Sequence, residues 1–256
     1  MAQTGSTNRD LLELARAGAS DGTVLVADHQ TAGRGRLERT WVAPPGASLL
    51  ASVLVRPQLD PADAPLLTVA MALAVVGTDA GRRAQARLKW PNDVVVDGDP
   101  PRKLGGILAE SIVDPSGQLA VVIGVGVNIR WPDPLPPELE SLVDMATTLD
   151  RAIAAGGTGA PGGTGVDRDE LLADVLRGFE RRCARLEEGA GGRAAVVDEA
   201  RAASVTLGRR VRADVGTETV EGTAVDLDGR GDLVVEDDEG RRHVVVAGDV
   251  VQLRRA

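Results

Sequence analysis

Two long apolar runs, residues 103–113 and 118–129, are separated only by Asp114-Pro115-Ser116-Gly117. Such a pair, joined by strong turn formers, reads as two long β-strands connected by a turn. Further strands are expected at 23–27 and 49–55, the latter ended by Arg56-Pro57. Around them lie helical patterns at the N-terminus, from Pro65 to about residue 78, over 137–149, over 167–188 and over 194–203. Strands that follow one another through turns, with helices elsewhere, indicate an α+β fold with a mixed sheet rather than alternating βαβ units. From residue 207 the texture changes to five short alternating strands (210–214, 218–226, 233–236, 242–246 and 250–253). Turns at Gly216, Asp228 to Gly231, Asp238 to Gly240 and Gly248-Asp249 separate them, as in a small closed barrel. The expected division is therefore 1–205 and 206–256. Residues 154–166 are low in complexity and read as disordered.

Composition narrows the chemistry. The chain is 43% hydrophobic but only 2% aromatic, so the core is aliphatic. A net charge of -9 opposes nonspecific nucleic-acid binding, while a local basic clamp can still hold a small anion. One cysteine, Cys183, excludes an internal disulfide and a cysteine-based zinc site, and its helical position suits a buried small hydrophobe. No apolar run reaches membrane-spanning length and no signal peptide precedes the first helix, so a cytoplasmic protein is expected. Nor is there a P-loop motif. Gly124-Val125-Gly126-Val127-Asn128 lacks the third glycine of a dinucleotide fingerprint, and Arg130-Trp131-Pro132 follows where a helix should start.

Chemistry concentrates elsewhere. Residues 28–41 read DHQTAGRGRLERTW, where glycines let backbone amides approach an anion and arginines supply charged planar forks. This loop reads as a phosphate clamp or as a mobile basic surface loop. Ser6-Thr7-Asn8 opens the first helix, with Thr7 and Asp10 at capping-box spacing. Lys89-Trp90-Pro91-Asn92-Asp93 interrupts a strand, because Pro91 removes a ladder donor; the strand must break or bulge before it resumes. With two histidines and no Ser/His/Asp arrangement, the polar set of Arg, Lys, Asn and Gly suits phosphoryl or nucleotidyl transfer.

Six motifs in order carry a resemblance: S-T-N at 6–8, G-R-G-R at 33–36, K-W-P-N-D at 89–93, K-L-G-G-I-L-A-E at 103–110, G-V-G-V-N at 124–128 and A-T-T-L at 146–149. Together they are similar to the biotin protein ligases, over almost the whole chain. The resemblance implies a class II synthetase-like biotin/lipoate ligase domain with an SH3-like barrel after it. It also implies two steps: biotin and ATP, with Mg2+, form biotinyl-5'-AMP, and a lysine of a biotin carboxyl carrier domain then takes the biotinyl group. Nucleic acid and membrane are not implied as partners. By motif, Ser6, Thr7, Asn8 and Gln30 fall to the ureido end of biotin; Arg34, Gly35 and Arg36 close over biotin and the adenylate phosphate; Lys89 stabilises the adenylation transition state. Trp41 covers adenine, Asn92, Lys103 and Asn128 line the nucleotide side, and Gly105, Gly106 and Gly126 allow close approach. Asp93 is a candidate base for the transfer.

Leu37-Glu38-Arg39 departs from the family, which often has glycine or basic residues there, and only five residues precede Ser6, where relatives carry a strand and turn. With no helix-turn-helix pattern before the catalytic part, a monofunctional form without repressor activity is expected. Rival readings are a lipoate ligase and a non-catalytic biotin or nucleotide sensor. K-W-P-N-D with the barrel favours biotin over lipoate, and retention of Lys89 with the arginine loop argues against the sensor.

Overall fold

A computed structural model describes residues 1–114, 117–156, 165–215, 218–246 and 249–253. In chain order the elements are β1 (Gln3–Thr4), α1 (Thr7–Arg16), β2 (Val24–Ala27), β3 (His29–Gln30), β4 (Ser48–Val55), α2 (Leu66–Val76), α3 (Asp79–Arg83), β5 (Ala86–Lys89) and β6 (Asp93–Val96). There follow β7 (Arg102–Val113), β8 (Leu119–Asn128), α4 (Pro137–Glu140), α5 (Leu149–Ala155), α6 (Arg168–Glu187) and α7 (Ala190–Ala203). The last five are β9 (Arg210–Val215), β10 (Glu218–Leu227), β11 (Leu233–Glu236), β12 (Arg242–Val245) and β13 (Asp249–Gln252).

The long hairpin β7–β8 lies inside a six-stranded sheet of order β2-β4-β8-β7-β6-β5. Every pairing in it is antiparallel, so strand direction is not mixed in the main sheet as expected. Parallel pairing is confined to the small β1–β3 ladder and two isolated bridges. β1 lies within the five residues that precede Ser6.

Alternation along β4 and β8 divides the layers, because successive side chains of a strand take opposite faces. Leu49, Ala51 and Val53 join Val121, Ile123, Val125 and Val127 in the larger core, under α2, α6 and α7. On the other face Leu54, Ala120 and Val122 meet Leu11, Leu12 and Ala15 of α1. Burying each of those leucines contributes roughly 1.5–3 kcal/mol, enough to hold a ten-residue helix that would be marginal alone. The register puts Gly106, Gly124 and Gly126 on this second face beyond the end of α1, and there the missing side chains leave a hollow.

Several local expectations change. β5 and β6 form a hairpin in which Leu88 pairs with Val94 and Lys89 with Asp93, so the strand reverses at Pro91 rather than resuming. The helix expected over 137–149 is a short α4, followed by turns and by α5, which Thr148 caps by accepting from Arg151 N. Helix α3 was not anticipated. Of the low-complexity stretch, residues 157–164 lie outside the described residues, as do Pro115, Ser116, Gly216 and Gly248. Ala154 and Ala155, however, are helical, and Val166 is packed into the core. Cys183 is half-buried against the same core, and its thiol is pushed up to about 12 by burial and then by Glu187, Asp21 and Glu180, which removes it as a nucleophile.

β9 to β13 form a separate antiparallel sheet, order β12-β11-β10-β9-β13, with a bulge in β10 between Ala224 and Asp226, consistent with a small barrel. It grips the six-stranded sheet through Trp90. The indole Nε1 donates to Gly231 O at 3.0 Å, and the Trp90 backbone N–H donates to Thr206 Oγ1 at 3.0 Å. Val205 N also donates to Leu88 O at 2.8 Å. Trp90→Phe keeps an aromatic group but loses the indole N–H and its pyrrole ring, stranding the Gly231 carbonyl, so the variant is expected to lose about 1–3 kcal/mol of stability. Urea unfolding checks this; an unchanged midpoint would remove the bond from the account.

Candidate active site

A cavity of about 180 Å³ opens between the N-terminus of α1, the loop after β3, the β5–β6 hairpin and the glycine-lined face of β7 and β8. Its deep end is polar and buried. Ser6, Thr7 and Asn8 are 1%, 4% and 4% exposed, yet Ser6 makes no side-chain cap bond although it holds the N-cap position. The Thr7–Asp10 capping box is absent: Asp10 is reached by the Thr4 hydroxyl instead. Gln30 does the capping from β3, its Oε1 accepting from Thr7 N at 2.8 Å and Thr7 Oγ1 at 3.0 Å. A side chain from another strand thus satisfies the helix end, which leaves Ser6 to the cavity.

Asn8 is held from three sides. Its Nδ2 donates to Leu108 O at 3.1 Å and to Glu110 Oε2 at 3.0 Å, while Ser52 Oγ donates to its Oδ1 at 2.6 Å. Gly124 makes room for it, since a Cβ there would collide with the Asn8 carboxamide. Ser52 also lies 2.7 Å from Thr7 Oγ1, so one buried hydroxyl ties two members of the corner together. Glu110 and Gly124 belong to the motifs at 103–110 and 124–128 but carry no expected role of their own, and Ser52 belongs to no motif. The period-2 alternation of β4 and β7 puts Ser52 and Glu110 on the cavity face, and that is the signal that finds them.

The other walls are cationic. Arg34, Arg36, Arg39, Lys89 and Lys103 line the cavity, and Asp93 is the one acid among its described lining residues. Arg34 Nη1 pairs with Glu110 Oε1 at 2.9 Å, and Arg36 Nη1 reaches Asn92 Oδ1 at 3.4 Å. Asn92 is locked by Nδ2 donating to Ile107 O at 2.7 Å. Asp93 is engaged by Lys103 at 2.6 Å, which leaves it poorly placed to act as a free base. Lys89 makes no hydrogen bond or ion pair among the described residues, and its ammonium remains available to a ligand. A chain with net charge -9 therefore gathers a positive field here, the arrangement that attracts a polyanion.

The loop is a tight hairpin rather than a loose basic segment. Trp41 N donates to Gly33 O at 3.0 Å and Gly35 N to Arg39 O at 2.7 Å, while Arg34 and Thr40 bridge. Its tip holds Leu37 and Glu38 at φ 52° and 57°, left-handed positions where glycine would be less strained. The Trp41 ring lies over Gly106 and Gly126. A Cβ on Gly126 would come within 2.8 Å of the indole, and Lys103 Nζ sits 5.7 Å from the ring centroid. The Trp41 Nε1 is buried without a partner among the described residues.

Of the residues predicted for the site, Ser6, Thr7, Asn8, Gln30, Arg34, Gly35, Arg36, Trp41, Lys89, Asn92, Lys103, Gly106 and Gly126 line this cavity. Two do not. Gly105 pairs with Val127 on the opposite face of the sheet. Asn128 is buried behind the wall, its Nδ2 donating to Thr147 O at 3.1 Å and its Oδ1 accepting from Ser48 Oγ at 3.3 Å.

Residues 1–128 match the model of the biotin/lipoate A/B protein ligase family, and residues 206–252 match that of the biotin protein ligase C terminal domain. The chain belongs to this ligase family. Similarity to individual members extends further. A biotin--[acetyl-CoA-carboxylase] ligase of Mycobacterium tuberculosis is 41% identical over 99% of this chain and 88% of its own length. One from Paracoccus denitrificans is 33% identical over 98% of each. Among solved structures, the Aquifex aeolicus biotin protein ligase in complex with biotin and ATP superposes with a TM-score of 0.75 at 26% identity, covering 100% of this chain and 97% of that one.

Within the family frame the Ser52 hydroxyl supports the Ser6–Asn8 corner without being part of the S-T-N motif. Ser52→Ala leaves Asn8 Oδ1 short of a donor, a loss of about 1–1.5 kcal/mol. Biotin affinity is expected to fall roughly five- to tenfold by isothermal titration; wild-type affinity would show that the corner holds its shape without it.

Proposed function

We propose that this ligase activates biotin as biotinyl-5'-AMP and passes the biotinyl group to a lysine of a biotin carboxyl carrier domain. The observation that carries the reading is one cavity that joins a buried neutral hydrogen-bonding corner to a cationic rim. A ureido ring offers both donors and acceptors and suits Ser6, Thr7, Asn8 and Gln30. A triphosphate and its adenylate suit Arg34, Arg36, Lys89 and Lys103.

In the first step the biotin carboxylate attacks the α-phosphate of ATP; the new C–O–P linkage forms and pyrophosphate leaves with the electron pair. Lys89 stabilises charge on the carboxylate and phosphate as they meet, and Arg34 and Arg36 hold the phosphate. Trp41, already flat over Gly106 and Gly126, supplies the face for adenine, with Asn92 alongside. In the second step an acceptor amine attacks the anhydride carbonyl and AMP departs. The arginine hairpin keeps water from the intermediate in between.

Among the described residues no three His, Cys, Asp or Glu side chains gather as a metal cage, and Asp93 is spent on Lys103. The donor set does not fit a resident cation, and magnesium belongs to the substrate as Mg-ATP. No helix among the described residues is long and apolar enough to cross a membrane; we place the enzyme in the cytoplasm, where ATP is made available. We further divide the chain at 205/206 into a catalytic unit and an SH3-like barrel. Incubation with ATP, biotin, magnesium and a carrier domain, read by intact mass, tests the proposal. A gain of one biotinyl group on the carrier supports it; a gain with lipoate alone would move the chain to the lipoate branch.

A further inference from the structure

A second cavity, about 170 Å³, adjoins the first. It runs between the six-stranded sheet and the C-terminal sheet and shares Arg36, Trp90, Pro91, Asn92, Ile107 and Leu108 with the reactive cavity. The two therefore meet at the hairpin that follows Lys89. One wall is largely apolar, with Pro65, Val69 and Ala109 beside Thr68; the other is the turn Arg230-Gly231-Asp232 with Val246.

Asp232 is the one carboxylate among the described residues that line this groove. Its backbone N–H donates to Asp228 Oδ1 at 3.0 Å, while its side chain makes no hydrogen bond or ion pair among the described residues. The neighbouring Gly231 carbonyl is the acceptor for Trp90 Nε1, so the turn is fixed against the catalytic hairpin. Burial first, and Asp228 second, push the Asp232 carboxyl up to about 6, with the exposed Arg230 pulling the other way. Arg36, the remaining charged group of the groove, leans toward Asn92.

The apolar wall of the groove suits the four-carbon stem of a lysine side chain, and Asp232 is the group in it that suits the compact cation at the tip. We propose that this groove admits the acceptor lysine and that Asp232 receives its ammonium beside the adenylate. The inference rests on the ligase reading above and assigns the approach of its second substrate. Asp232 takes no part in bond making: it binds and aligns the ammonium, whose proton passes to water before the amine attacks.

The test separates the two half-reactions. Pyrophosphate release with biotin and ATP alone is expected to be the same, within twofold, for Asp232→Asn and the parent enzyme. The KM for the carrier domain is expected to rise about tenfold or more in Asp232→Asn and to be largely restored in Asp232→Glu. In the parent enzyme kcat/KM for the carrier should fall as pH drops through about 6, because the carboxyl is charged above that value and neutral below it; Asp232→Asn should lack this limb. Equal carrier KM values, or an unchanged acid limb, would overturn the assignment while leaving the ligase reading intact. Absence of biotin-dependent pyrophosphate release from folded parent enzyme would instead sink the reading on which it rests.

Discussion

Replacing Lys89 by alanine is expected to slow biotinyl-adenylate formation by on the order of 10²–10³-fold, the usual cost of removing one preorganised charge from a phosphoryl-transfer site. The residue closes β5 at the mouth of the hairpin, pairs across the ladder with Asp93 and lines the cavity. Because its ammonium has no partner among the described residues, its deletion breaks no internal bond, and the fold should tolerate the change. Pyrophosphate release measured at saturating biotin and ATP isolates the chemical step. A loss in kcat with little change in biotin affinity marks a transition-state role; a loss confined to KM would make Lys89 a binding residue. Near-parental turnover would remove it from the mechanism.

Arg36→Gly acts on the other half of the problem. Arg36 belongs to the tight hairpin and faces both cavities, so its removal takes a charge from above the phosphate and opens the partition between them. Truncating one partner of a close charge pair costs about 2–5 kcal/mol, mostly in dissociation. The adenylate is therefore expected to escape roughly 30-fold faster or more. Escaped anhydride acylates whatever amine it meets, and bystander proteins added to the reaction should gain biotin on many lysines. Bystander labelling no greater than with the parent enzyme would contradict the lid role of this arginine.

What the sequence made legible was governed by distance along the chain. Strand limits, the helix from Pro65 and the five short C-terminal strands follow from alternation and turn residues, which act locally. Thirteen of fifteen expected site residues line one cavity; the order of the six motifs found them rather than composition, since glycine alone occurs 31 times in the chain. Asn128 and Gly105 do not line it: Gly105 and Gly106 are consecutive on one strand, so only one of them can face the cavity, while Asn128 shares the face of Gly126 but is taken up by Ser48 and Thr147. Gln30 as the cap of α1, Ser52 under Asn8 and Glu110 on Arg34 are each partnerships across more than 20 positions. Alternation puts Ser52 and Glu110 on the cavity face, but no local pattern names their partners. The reversal at Pro91 was hidden for a related reason, since the backbone donor of Trp90 is taken by Thr206, 116 residues later.

That long reach has a consequence for the life of the chain on the ribosome. The hairpin that presents Lys89 depends on Thr206 and Gly231, which are made only after the whole catalytic sheet has emerged. At about 5–20 residues per second, the interval from Trp90 to Gly231 lasts several seconds to about half a minute. Throughout it the reactive turn lacks its clamps. A nascent or prematurely terminated chain can fold much of its sheet and still hold Lys89 on an unpinned loop. Competence to make a reactive anhydride thus arrives only when the strands that receive the second substrate are also present.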